Sequence, residues 1–352
     1  MSDDDSDDSG DDSKMGSTAA TGAEFDSLLE ERAKAVLQAA ISTRTTAEAT
    51  GALDNAAQKR RPLTAAELQL VLDSFASPAL LADRFGLEIL GKDIQCLRPG
   101  QWLNDEVMNF QFELMRERSA EAAQNPTGLV CCLFASVCPF VYVRMVFMCP
   151  REHSSTFLMR WCRYLFRGPH VLCAVLCVVC EHLGVQPRKR CHFFNTFFYK
   201  KLTGERGGYN YKIVRRWTKK LTAVKLPDYD YCFIPIHVQH SHWCLACINF
   251  QAKRILYYDS LRGPDYGVMQ HLLQYVHDES MDKLQRPVNM DEWQLELVEK
   301  VPHQLNGFDC GVFTCKMADY LGEGLPLSFT QTDMPYFRQR ILLEIKLMSL
   351  NL

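Results

Sequence analysis

Five stretches of this chain space their apolar residues at helical period, and three gather them into runs of strand length. Leu28, Leu29, Ala33, Val36 and Ala40 share one face of a short helix over 28–41. After Pro62, Thr64 stands three residues ahead of Glu67 and just before Leu68, Leu70, Val71 and Phe75, which reads as a capped helix start. Residues 101–117 predict a further amphipathic helix with Asn104 or Asp105 near its beginning. Helical period returns over 311–321 and over 335–348, where Pro335 suits a first turn. Between these lie the apolar runs 231–236, 243–250 and 254–258. Phe250 to Lys253 reads as the turn of a hairpin joining the last two. Helices flanking a modest sheet predict an α+β domain.

Composition refines this picture at the N-terminus. The chain has 352 residues, 47% apolar and 23% charged, enough for a substantial core. Residues 1–25 are rich in Asp, Ser and Gly and cannot bury enough surface to offset chain entropy. With the linker-like stretch 42–61, they predict a disordered acidic tail and linker over 1–61 and a folded domain over 62–352. The net charge of −3 contains seven Asp within residues 1–13, so the rest sums to +4. That near-neutral body argues against a dedicated nucleic-acid binder. The acidic opening does not read as a secretory signal, so the fifteen Cys are expected as thiols in a reducing setting.

One segment breaks the pattern. Residues 127–187 hold eight of the fifteen Cys, and Leu129 to Cys149 carries Arg144 as its single charge. Three readings are open: intron sequence retained in the gene model, an inserted loop, or a membrane span, since 21 residues at helical rise cover about 30 Å. A membrane partner is expected only if 129–149 is a genuine span. Cys173, Cys177, Cys180 and His182 do not fit a common zinc-ligand spacing, and no metal is expected there.

The candidate chemistry lies after that segment. In 302–316, PHQLNGFDCGVFTCK, Cys310 falls at the start of a helical run. There the unpaired N–H groups and the positive end of the helix dipole favour thiolate, the nucleophilic form. Gly311 leaves room for a substrate backbone. His242 opens one predicted strand and Asp259 follows the next, so hairpin register brings imidazole and carboxylate together. The carboxylate fixes the tautomer of a general base. Gln304 carries an amide donor on the loop entering the Cys310 helix and, with the Cys310 N–H, suits an oxyanion hole; one such donor is worth about 2.7–4 kcal/mol in a transition state. His237 and His240 read as surface residues, and His303 as a weak alternative base.

In this order His242-Trp243, Asp259, Gln304 and Asp309-Cys310-Gly311 resemble the ubiquitin-like-protein-specific cysteine proteases, the SUMO proteases of Ulp/SENP type. Further blocks resemble the family in sequence: Trp102-Leu103-Asn104-Asp105-Glu106, Phe194-Asn195-Thr196-Phe197-Phe198, Arg216-Trp217-Thr218-Lys219-Lys220, Tyr257-Tyr258-Asp259-Ser260 and Met334-Pro335-Tyr336-Phe337-Arg338. The likeness covers about 65–125 and 188–352 and departs from the family over 127–187.

The resemblance implies a papain-like α+β fold, a small mixed sheet flanked by helices, with the triad in the order His, Asp, Cys. It implies a thiol isopeptidase that cuts after the terminal Gly-Gly of SUMO, from conjugated lysines or from the SUMO precursor, with no cofactor. Trp102 and Trp243 match the tryptophans that close over the diglycine, where flat indoles exclude larger residues. Asp105, Phe194 and Arg216 match positions that contact the body of SUMO. Rival readings are a protease for another modifier, of the deneddylating type, and a non-catalytic SUMO-binding module. The partners expected are SUMO and its conjugates, with the enzyme a monomer. The resemblance, with the short basic clusters 59–61 and 188–190, places it in the nucleus or at the nuclear rim, with cytoplasm also open.

Overall fold

The computed structural model describes residue 56 and residues 59–124, 189–204, 208–221 and 225–350. The acidic stretch 1–25, the helix expected over 28–41 and the apolar segment 127–187 lie outside the described residues. Packing reaches back ahead of Pro62. Ala56 is buried in the core. Lys59 Nζ lies 2.9 Å from Asp319 and 3.3 Å from Glu323, and Arg61 pairs with Glu67. The folded body therefore takes in residues expected to be linker, because their cations find carboxylates on it.

Helix α1 spans Ala65–Ala76 with the expected capping box: the Glu67 N–H donates to Thr64 Oγ1 and the Thr64 N–H donates to Glu67 Oε2. An antiparallel hairpin of β1 (Leu80–Arg84) and β2 (Leu87–Leu90) follows. Helix α2 (Asp105–Gln124) is longer than expected and is capped by Asn104, whose Oδ1 accepts the Val107 N–H at 3.0 Å.

The centre of the molecule is a five-stranded mixed sheet in the order β3 (Cys191–Phe193), β4 (Tyr231–Val238), β5 (His242–Asn249), β6 (Arg254–Tyr258) and β7 (Gln294–Leu297). The outer pairs β3–β4 and β6–β7 are parallel, and β4–β5–β6 is an antiparallel meander. Both faces of β5 are buried, which is why its sequence is a continuous apolar run rather than an alternation. Trp243, Leu245 and Cys247 enter one core; Cys244, Ala246 and Ile248 enter the other. Pro235 lies past the end of β3, where β4 has a neighbour on one side alone and a missing N–H costs least.

Helices cover both faces. On the first pack α2, α6 (Cys310–Gly322) and α7 (Met334–Leu347). On the second pack α3 (Phe197–Thr203), the short α4 (Tyr211–Val214) and α5 (Tyr266–Leu284). The class is α+β, as the pattern predicts. Among the described residues no helix is long and apolar enough to cross a membrane; segment 129–149 lies outside them.

Candidate active site

The β5–β6 hairpin does what its register promised. Leu245 pairs with Tyr258, so the start of β5 faces the chain just beyond the end of β6. His242 Nε2 lies 2.6 Å from Asp259 Oδ1. The carboxylate also accepts the N–H of Leu261 at 2.8 Å and of Gly263 at 2.6 Å. A side chain at Gly263 would place its Cβ 2.9 Å from Asp259 Oδ2, so glycine is what lets this backbone approach. Burial penalises the Asp259 charge, but the imidazole and the two N–H groups outweigh it and hold the carboxyl below its usual range.

The imidazole shows the reciprocal effect. Burial opposes its protonation, yet Asp259, then the thiols of Cys244 and Cys310, push it up to about 12. Cys310, whose thiol is among the groups that raise the His242 pKa, is the first residue of α6 and is 2% exposed. With Nε2 engaged by Asp259, Nδ1 is the nitrogen left for that sulfur. Such a ring can take a proton from the thiol and return it to a leaving group.

Asp309 precedes Cys310 but does not cap α6 with its side chain. Its Oδ1 instead accepts from Arg338 Nε at 2.9 Å and Nη2 at 2.7 Å, while Oδ2 accepts from Asn306 Nδ2 and Gln331 Nε2, each at 2.7 Å. The first N–H groups of α6 are consequently left without that side-chain cap, beside the sulfur. Arg338 goes on to donate to the carbonyls of Cys96 and Gln101, at 2.8 and 2.7 Å. One buried guanidinium thereby joins the segment entering Trp102 to the segment entering Cys310.

Gly311 also has a packing role within the chain. A Cβ there would lie 2.8 Å from the Cβ of Leu103, so its bareness admits the protein's own Leu103 against the first turn of α6. Gln304 is buried; its N–H donates to the Ser260 carbonyl, its Oε1 accepts the Ser260 hydroxyl at 2.9 Å, and its Nε2 donates to the Asn306 carbonyl.

The two tryptophans differ. Trp102 is 50% exposed, whereas Trp243 is 4% exposed and stacks on His237, ring centroids 4.0 Å apart and planes at 7°. His237 is therefore half-buried in an aromatic stack rather than a free surface residue, because β4–β5 register places it directly opposite Trp243. Asp105 opens α2 and its charge acts on His237. Arg216 is exposed on the turn after α4. Phe194 departs from expectation: it is 3% exposed, stacked on Phe198 in the second core, and presents no ring to a docking partner. Its neighbour Phe197 is the exposed aromatic of that block.

Three residues of the site were given no role from the sequence: Cys244, and Ser260 and Arg338, which stand in the blocks quoted for the family resemblance. Cys244 had a visible signal, since it lies two residues from His242 on one strand and so shares its face.

A family model for the C-terminal catalytic domain of the Ulp1 protease family matches residues 173–351. The chain belongs to the Ulp1 protease family. Among curated relatives, the ubiquitin-like-specific protease ESD4 of Arabidopsis thaliana is 36% identical over 260 residues, covering 74% of this chain and 40% of that protein. Sentrin-specific protease 2 of Homo sapiens is 32% identical over 268 residues, covering 76% of this chain and 33% of that protein. The chain thus spans about two-fifths or less of these relatives' length. The C-terminal Ulp1 protease domain solved in complex with Smt3, the yeast ortholog of SUMO, aligns over 82% of this chain and 97% of its own, at TM-score 0.55 and 23% identity. That likeness establishes the Ulp1-type fold.

Proposed function

We propose that this chain is a thiol protease that cleaves after the C-terminal Gly-Gly of SUMO, releasing SUMO from lysines of conjugated proteins or trimming its precursor. The observation that carries the reading is one imidazole held by Asp259 at 2.6 Å, its proton affinity raised by the thiol of Cys310, which stands at a helix N-terminus.

His242 takes the Cys310 proton. The sulfur attacks the carbonyl carbon of the final glycine, and the carbonyl electrons move to oxygen. The Gln304 amide and the Cys310 N–H receive that oxyanion. The tetrahedral intermediate collapses, the C–N bond breaks, and His242 gives its proton to the departing lysine amine. Water, deprotonated by His242, then releases the acyl group as the carboxylic acid and restores the thiol. Every group needed is supplied by the chain itself.

Substrate choice rests on the two indoles. Trp243 is the fixed wall, held by His237 and the core, and Trp102 is the exposed one free to close on a threaded backbone. A passage between flat rings accepts glycine and rejects larger residues. SUMO as the modifier is supported by the Smt3 complex of the solved Ulp1 domain and by relatives named for sentrin. Arg216 and Asp105, both reachable from solvent, are the residues assigned to its globular body.

The test is hydrolysis of a SUMO–fluorophore fusion by wild type, Cys310→Ala and Cys310→Ser. Loss of turnover in both variants with SUMO binding kept is expected; full activity in either refutes the assignment.

A further inference from the structure

Strand β5 brings a second thiol to the base that the cleavage mechanism does not use. Cys244 is fully buried and sits on the same face of the strand as His242. One nitrogen of His242, the Cys244 sulfur and a carboxylate oxygen of Asp259 all lie within 4.8 Å of one another. Cys310 is not in this set. The Asp259 carboxylate is anchored by two backbone N–H groups, so one ligand is preset in position.

We propose that His242, Cys244 and Asp259 form a Zn2+ site whose occupation shuts the protease off. The consequence for activity rests on the function proposed above; the ligand set does not. Imidazole, thiolate and carboxylate together suit zinc, and the thiolate discriminates against magnesium and calcium. Around tetrahedral zinc, with bonds of about 2.0–2.3 Å, ligand atoms sit about 3.4–3.7 Å apart, so His242 Nε2 and Asp259 Oδ1, now 2.6 Å apart, must part to admit the ion while the Cys244 sulfur closes on it. His242 is the ligand with an exposed edge, which gives the ion its entry and leaves the fourth position to water.

Binding is balanced as follows. The Cys244 S–H bond breaks and its proton leaves to solvent as the sulfur pair goes to zinc. The proton that Nε2 shares with Asp259 leaves to solvent likewise, and Nε2 exchanges its partner Asp259 for the metal. The ring is then fixed with a proton on Nδ1. It has no free pair with which to accept the proton of Cys310, and its remaining N–H is a poor donor. Zinc would therefore remove the base without touching the nucleophile.

The experiment titrates Co2+, the spectroscopic stand-in for zinc, into the full chain of wild type, Cys244→Ala, Cys244→Ser and Cys310→Ser, following thiolate-to-cobalt charge transfer. The expected result is a charge-transfer band in wild type and Cys310→Ser, displaced by Zn2+, and none in either Cys244 variant. The Zn2+ concentration that halves SUMO–fluorophore cleavage should rise at least tenfold on Cys244→Ser. A band that survives both Cys244 substitutions, a band lost in Cys310→Ser, or no band in wild type overturns the proposal. If wild type shows the Cys244-dependent band but cleaves no SUMO fusion, the zinc site stands and the proteolytic reading fails.

Discussion

His242 ties the chemistry of the site to the stability of the fold. Its folded pKa is raised above the ordinary value of 6.5, to about 12. A raised pKa means the folded state holds the proton more tightly than the unfolded chain does. The stabilisation is complete below about pH 6.5 and is lost progressively as pH rises through the window up to the folded value. The melting temperature of wild type minus that of His242→Gln should accordingly shrink between pH 6.5 and pH 9; a difference that stays level across that range contradicts the reading. Gly311 is a second single-residue test. With Leu103 Cβ 2.8 Å from where its own Cβ would stand, Gly311→Ala must displace Leu103 or the first turn of α6. Overpacking of this kind costs about 1–3 kcal/mol. Chemical denaturation should show that loss, and turnover should fall further than stability alone explains because the displaced turn of α6 carries Cys310. Wild-type turnover in Gly311→Ala would show that the contact does not set the site.

Between elements, the Asp309–Arg338 pair is the tie that binds α7, the Cys310 loop and the Trp102 loop. Both side chains are buried, and Arg338 reaches carbonyls on either loop. Removing one partner leaves the other as an uncompensated buried charge, worth about 3–5 kcal/mol. Arg338→Met should lose about that much in urea denaturation, and the double variant with Asp309→Asn should lose less than the two singles combined. Strict additivity would mean the pair is not coupled. This tie was invisible in the sequence, where 29 positions separate its members and only tertiary packing joins them. The pairing of His242 with Asp259 and the place of Cys310 were legible because they need local rules alone: hairpin register sets Asp259 by His242, and a Cys followed by Gly opens a helix. Among the elements, α1, α2, α6, α7 and the β4–β5–β6 meander were readable from period and run length. Strand β3, at three residues, is too short to have a period, and the β1–β2 register is interrupted between Leu80 and Ala82. Helix α5 carries a helical signal, with Asp265 as cap and Val268, Met269, Leu272, Tyr275 and Val276 on its buried side, and is recoverable by pattern. Phe194 shows the limit of carrying a contact over by likeness, since the ring that matches the motif faces the core.

At the scale of the molecule, the sheet works as a partition. Its two buried faces hold separate cores, and the catalytic pieces gather at one end, where β5 begins, β6 ends and α6 starts. Each of the three arrives on a different element, so no single segment can form the site without the complete meander and its covering helices. The apolar segment 127–187 joins α2 to β3, two elements packed against each other, so their mutual placement is fixed by the body and not by the length of what connects them. Deleting 127–187 in favour of a short Gly-Ser connection should therefore preserve folding and cleavage; an insoluble or inactive product would show that the segment is required. The most direct test of the whole account is to react the full chain with electrophilic tail probes built from SUMO, from the neddylation modifier and from ubiquitin, and to map the adduct by mass spectrometry. The account predicts a covalent adduct with the SUMO probe, carried on Cys310 and abolished by His242→Ala. An adduct with one of the other two probes in preference to SUMO, or an adduct on any other cysteine, would contradict it.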